Sequence, residues 1–165
     1  MAVKPTRTII AERVDCKATS TGLAGSFWCY STDNAGWEDS VVNIFADPSG
    51  KFVAGLCYWD VVKVDMDNGT FPNLLGGAQT INPVQGTSTF DGKITLITKG
   101  TVVTDRVTGT PTLGGSAYVG GTGYVGLLAD VSSLYGATYS GIAQKVGRFE
   151  SIKDSDGFVK LSIDL

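Results

Sequence analysis

Histidine is missing from all 165 residues. That removes the Ser-His-Asp and Cys-His arrangements that activate a nucleophile through imidazole. It also removes the commonest nitrogen ligand for zinc. Cysteine occurs three times, at Cys16, Cys29 and Cys57, with no C-x-x-C spacing. Cys29 and Cys57 sit in apolar surroundings (FWCY and LCYW). Both read as buried free thiols that pack as small hydrophobes. A Cys29–Cys57 disulfide is the alternative, with no secretory context behind it. No apolar run approaches the roughly 20 residues of a membrane helix. Met1–Arg13 carries Lys4, Arg7 and Arg13 but no apolar signal core. The expectation is a soluble chain made in a cytoplasm, with no membrane partner. Clustered positive charge is lacking too. The 13 Lys and Arg residues are scattered, the net charge is −3 and the pI is about 4.8. Nucleic-acid binding draws its affinity from neutralising phosphates with a basic face, so no nucleic-acid partner is expected. Only Lys4 and Arg7 begin to resemble a basic arm. Long Ala/Leu/Glu/Lys blocks, the usual material of helices, are absent as well.

What is present points to strands and turns. The chain is 42% hydrophobic and holds 22 glycines, with abundant Thr, Val and Ser. Apolar stretches at Thr8–Val14, Ser26–Tyr30, Ser40–Phe45 and Phe52–Val64 read as extended. Lys93–Thr98 and Thr101–Val107 read as a hairpin turning at Lys99-Gly100. Ser116–Val119 and Tyr124–Leu128 flank a glycine-rich turn, and Asp130–Gly141 reads as a loop. Between Phe158 and Leu165 the apolar residues Val159, Leu161, Ile163 and Leu165 alternate with polar ones, the period-two mark of a strand with one buried face. The predicted fold is mainly β: a short-strand sandwich or barrel-like body with a polar N-terminal arm. Residues 1–25 form the arm and first strand and residues 26–165 the body, either as one unit or as two lobes split near 70–86.

Three motifs carry a chemical suggestion. Gly121-Thr122-Gly123-Tyr124-Val125-Gly126 spells G-x-G-x-x-G, which binds a dinucleotide when a strand precedes it and a helix N-terminus follows. Leu127–Asp130 is a poor helix start, so the motif reads as a β-turn between two Tyr-Val strands, and no cofactor is expected. Asp65–Gly69 and Asp154–Gly157 resemble calcium loops, but position twelve of an EF-hand would fall on Gly76 and Leu165 instead of Glu. Both read as hairpin turns, and no metal site is assigned. Adjacent carboxylates such as Glu38-Asp39 leave a two-carboxylate hydrolase as the last-ranked reading. Among the aromatics, Trp28, Tyr58 and Trp59 read as core. Trp37, Tyr135 and Tyr139 lie in polar loops and are candidate contact anchors, with folding back onto the core as the alternative. Lys4 and Arg7 complete the set of candidate interface residues.

Three ordered phrases carry a family resemblance. The first is Gly55-Leu56 with Asp60–Asp65 and then Thr95–Thr104. The second is Gly109–Gly114 with Ala117–Gly120. The third is Val146–Ser151 with Lys153-Asp154 and Asp156–Leu161. In this order they resemble small structural proteins of tailed bacteriophages, of the capsid decoration (cement) type. The likeness runs from about Gly50 to the C-terminus, and the opening Met1–Pro5 fits the same group. The resemblance implies a non-enzymatic virion protein on the capsid exterior, often trimeric, bound to the major capsid protein where capsomers meet. A tail, fibre or baseplate component that binds a host glycan or protein is the alternative.

Overall fold

Residues 92–104 form one 13-residue strand, and the rest of the fold is arranged around it. In a computed structural model, the described residues are 9–18, 20–31, 40–45, 51–63, 79–81, 92–135 and 143–165. They contain the strands β1 (Ile9–Ala18), β2 (Phe27–Tyr30), β3 (Val41–Ile44), β4 (Val53–Cys57), β5 (Val61–Lys63), β6 (Gln79–Ile81), β7 (Gly92–Thr104), β8 (Ser116–Val119), β9 (Val125–Gly126), β10 (Lys145–Phe149) and β11 (Val159–Asp164), with the helix α1 (Leu128–Tyr135) between β9 and β10. The fold is mainly β, as the composition implies.

Nine strands form one sheet in the order β1-β3-β2-β4-β7-β11-β10-β8-β9, and β1 also pairs with β7. That extra pairing closes β1, β3, β2, β4 and β7 into a ring. In a closed ring of five strands the directions cannot alternate all the way round, so one neighbouring pair must be parallel. Here it is β1–β3, joined at Lys17↔Val41 and Ala18↔Val42. The other four pairs are antiparallel. Beyond the ring, β7 continues into an antiparallel sheet with β11, β10, β8 and β9. A separate parallel pair joins β5 and β6.

Strand alternation sorts the apolar residues into two cores. Cys16, Ala18, Trp28, Val42, Ala54, Cys57, Ile94 and Leu96 pack together. Every ring strand contributes to this cluster, so it fills the ring's interior. Phe27, Cys29, Leu56 and Ile97 point the other way and meet Val102, Ala117, Val119, Val146, Phe149, Val159, Leu161 and Ile163 of the second sheet. The FWCY stretch is apolar without a break because β2 is buried on both faces.

Two expectations about secondary structure change. Lys99-Gly100 is not a turn, because β7 runs straight through it. Ile10 of β1 and Ile163 of β11 flank Gly100 on its two sides, so pairing on both edges overrides the local turn preference. Gly100 has φ +146, and a Cβ there would collide with the carbonyl of Ile9. Residues 128–135 are helical rather than loop. Val131 packs its methyl groups against Gly120 and Gly126, where a Cβ would come within 2.9 and 3.0 Å of them. This tertiary contact supports a helix that the local sequence favours weakly. The alternation in β11 is as expected, with Val159, Leu161 and Ile163 buried, while Leu165 lies past the strand end and is exposed.

The second sheet is tied to the ring by a side chain acting as a peptide. Gln144 accepts a hydrogen bond from the Val53 N–H at 2.8 Å through Oε1. Its Nε2 donates to the Lys51 carbonyl, and its own carbonyl accepts from the Val119 N–H at 3.1 Å. Gln144→Met keeps the length and removes the amide. It should lower the unfolding free energy by about 1–3 kcal/mol, the cost of leaving backbone groups unpaired. Urea denaturation measures this, and an unchanged midpoint would show that the amide bridge adds nothing.

Candidate functional site

The G-x-G-x-x-G stretch is a turn between antiparallel strands. β8 and β9 pair at Tyr118↔Gly126 and Val119↔Val125. Between them Gly121–Gly123 makes one 3-10 turn, closed by the Gly120 N–H donating to the Tyr124 carbonyl at 2.6 Å. Gly123 has φ +75, and a Cβ there would lie 2.6 Å from the Phe27 carbonyl oxygen. The turn is therefore pressed against β2. A Cβ on Gly126 would lie 2.6 Å from the Thr108 Cγ2. Protein atoms already fill the space these glycines open. The dinucleotide arrangement needs a parallel βαβ unit, whereas this strand pair is antiparallel, although a helix does follow it.

The second acidic turn is explained in the same way. Asp154 Oδ1 accepts the N–H groups of Asp156 and Phe158 at 3.0 and 2.8 Å. The carboxylate holds the β10–β11 turn, as Asp commonly does. The turn at Asp65–Gly69 lies outside the described residues.

Of the candidate interface residues, Lys4, Arg7, Trp37 and Tyr139 lie outside the described residues. Tyr135 is the last residue of α1 instead of a loop residue. The structure brings other side chains together, on two surfaces.

The first surface is the outer face of β10 and β11. Lys145 and Arg148 are three residues apart, so a regular strand would send them to opposite faces. A bulge intervenes: Lys145 pairs with Tyr118 and Gly147 with the adjacent Ala117. The phase resets, Val146 and Phe149 are buried, and both cations are exposed. With Gly147, Ser162 and Asp164 they line an open groove of about 450 Å³. A Cβ on Gly147 would collide with the Ser162 carbonyl, so β10 and β11 require glycine there. Nearby, Lys99 pairs with Asp164 at 3.3 Å and Lys160 with Glu150 at 3.0 Å. Lys145 and Arg148 make no ion pair among the described residues.

The second surface is a cleft of about 250 Å³ lined by Ile10, Arg13, Tyr58, Trp59, Thr95 and Ile97. Ile10 and Arg13 also have opposite strand parity. They share the cleft because the β1–β7 register shifts on both sides of Glu12. Tyr58 and Trp59 meet edge to face, with centroids 4.6 Å apart. Trp59 is 37% exposed and is not core. β4 ends at Cys57, so the alternation that buries Leu56 and Cys57 stops before Tyr58. The cleft left one trace in the sequence, the Ile-Ile-Ala-Glu-Arg-Val run, which has neither strand nor helix period.

No protein-family model and no curated protein sequence matches the chain.

The cysteines are three buried free thiols. Cys29 packs between the ring and the second sheet, and Cys57 inside the ring. The disulfide alternative is therefore not the arrangement present. Burial pushes the Cys57 thiol up to about 12, and its Sγ donates to the Trp59 carbonyl at 2.8 Å. Burial, helped by the Asp15 carboxylate, pushes Cys16 up to about 11. Burial also raises Cys29, partly offset by the Lys51 charge.

Gly123→Val should cost at least about 2 kcal/mol in urea denaturation, because it strains a positive φ and strikes a backbone carbonyl. ATP or NAD should leave the wild-type melting temperature unchanged. A clear rise with either would overturn the turn reading, since a ligand of the native state must stabilise it. A raised thiol pKa means that the folded chain holds its proton more tightly than the unfolded chain does. That contribution is intact below the unfolded thiol value of about 8.5 and is lost as pH rises toward the folded values. The urea midpoint should therefore fall steeply between about pH 9 and pH 11. Cys16→Ala should make the fall shallower, and an equal slope in both proteins would contradict the assignment.

Proposed function

We propose that this chain is a virion structural protein of a tailed bacteriophage. In this reading it is a decoration protein that binds the major capsid protein on the outside of the shell, at capsomer junctions, and is not an enzyme. One observation carries the proposal. Most of the phrases that resemble the decoration family fall on β4, β7, β8, β10 and β11, which are consecutive neighbours in the sheet, in the order β4-β7-β11-β10-β8, while Asp60–Asp65 covers β5 of the separate pair. Phrases scattered through the sequence thus fall largely on one continuous hydrogen-bonded framework, which supports their being parts of a single inherited body.

The physical task suits that body. A decoration protein adds binding energy across seams that internal DNA pressure pulls apart. It has to hold its shape under load, and a sheet whose central strand is paired on both edges resists shear through many hydrogen bonds at once. Association as a homotrimer would let weak contacts act together, because linked subunits bind with a high effective concentration.

Copy number in purified virions tests the proposal, by quantitative mass spectrometry against the major capsid protein. A number comparable to the capsid protein is the expected result. A few copies per particle would place the chain in the tail or at a vertex, in favour of a fibre or baseplate role. Absence from virions would overturn the structural reading altogether.

A further inference from the structure

Resting on the decoration reading, we propose that the free edge of β1 at Ile9–Arg13, together with the cleft beside it, receives an extended segment of the shell protein as an added strand. The segment carries a large apolar side chain next to a carboxylate.

The first observation is an edge left open by the described strands. Ile9–Arg13 pair with β7 along one side only, from Ile9↔Thr101 to Arg13↔Ile97. On the other side β3 reaches β1 only at Lys17 and Ala18, and no other described strand pairs with Ile9–Arg13. All five residues are exposed, on both faces of the strand. Ile9 is 69% and Ile10 39% exposed. Charges and bulges commonly protect an open edge, and Glu12, Arg13 and the shifted register are such devices. Two exposed isoleucines work against protection. They make the edge adhesive at one end while the charges restrict what can adhere.

The second observation is the cleft that adjoins the edge. Its volume of about 250 Å³ is below the roughly 300–1,000 Å³ of small-molecule sites and suits one large side chain. Four of its walls are apolar or aromatic: Ile10, Ile97, Tyr58 and Trp59. Besides the Tyr58 hydroxyl and the Trp59 indole N–H, its polar side-chain groups are the Arg13 guanidinium and the Thr95 hydroxyl, and the Thr95 hydroxyl already donates to Asp15 at 2.7 Å. The Arg13 guanidinium has no hydrogen bond or ion pair among the described residues, so the charge within the cleft lining is positive and a carboxylate complements it. The backbone that carries the aromatic pair is tied down before binding. The Trp59 carbonyl accepts from Cys57 Sγ, and Asp60 Oδ1 accepts from the Ala24 N–H at 2.7 Å. A rigid site spares the cost of ordering it.

Main-chain bonds from an edge, combined with a pocket for an alternate side chain, are how added strands are recognised. A saccharide fits the cleft less well, since its hydroxyls would meet mostly apolar walls.

The test uses shells of the encoding phage stripped of this chain, mixed with full-length wild type, Trp59→Ala or Arg13→Glu. Co-sedimentation gives affinity, and hydrogen exchange reads the amides of Ile9–Arg13. The expected result is wild-type binding with exchange at these amides slowed at least tenfold. Each variant should bind at least tenfold more weakly while keeping the wild-type urea midpoint. Arg13 is exposed, so Arg13→Glu tests the edge even where Trp59→Ala disturbs folding. Wild-type binding with unchanged β1 exchange and full binding by Arg13→Glu would overturn the edge proposal and leave the decoration role standing. Failure of the wild type to bind shells would overturn both. Binding to a glycan array that Trp59→Ala abolishes, with no slowing of the β1 amides on shells, would replace the strand with a sugar.

Discussion

Leu96 and Ile97 lie in the middle of β7, with Val14 and Arg13 of β1 on one side and Cys57 and Leu56 of β4 on the other. Leu96 points into the ring and Ile97 toward the second sheet. Both cores and both sheet edges therefore meet at two adjacent residues. Unpairing β7 opens the ring at two of its seams, and the second sheet cannot detach without losing its first strand. Ring and sheet should unfold together as one cooperative unit, because neither has a private set of strands. Gly100 is the local condition for this. Its φ and its lack of a Cβ let β1 pass on one side while β11 pairs on the other.

The surfaces follow from departures from that regular framework. Strand parity would scatter Lys145 and Arg148 to opposite faces, and Ile10 and Arg13 likewise. A register shift lies between the members of each pair. Each shift costs ladder regularity and re-aims two side chains onto one surface. Bulges with this effect gather at edges and near functional sites. In this chain one lies at an open edge and the other beside an open groove.

This explains what the sequence showed and what it hid. Elements with one buried face were legible, and β11 is the clearest, since its alternation is its burial pattern. β2 was legible as apolar and extended, while its double burial needed the ring. β7 was misread as a hairpin because Lys99-Gly100 is a good local turn, and its conformation is decided by residues about 90 and 60 positions away in β1 and β11. α1 was missed because its stability rests on Val131 seated against Gly120 and Gly126 rather than on its own composition. The cleft was hidden for a related reason. Parity arguments separate Ile10 from Arg13, and Trp59 reads as strand interior until the end of β4 is known. The glycines of G-x-G-x-x-G, by contrast, were legible as a turn from the start, because a pyrophosphate site needs more context than six residues supply.

Under the proposed decoration role, the position of the open edge bears on how force would travel through the chain. A strand added to Ile9–Arg13 pulls on β1 roughly along its own axis. β1 passes that pull to β7 through pairings spread from Ile9↔Thr101 to Ala18↔Gly92. Hydrogen bonds loaded along the strand direction share the force, whereas bonds loaded across it break one at a time. From β7 the load enters both cores, through Leu96 and Ile94 into the ring and through Ile97 and Val102 into the second sheet. A contact at the turn between β8 and β9 would instead load a two-residue strand at the sheet's end. The same central strand that makes the fold cooperative thus makes the β1 edge the described edge best suited to carry tension.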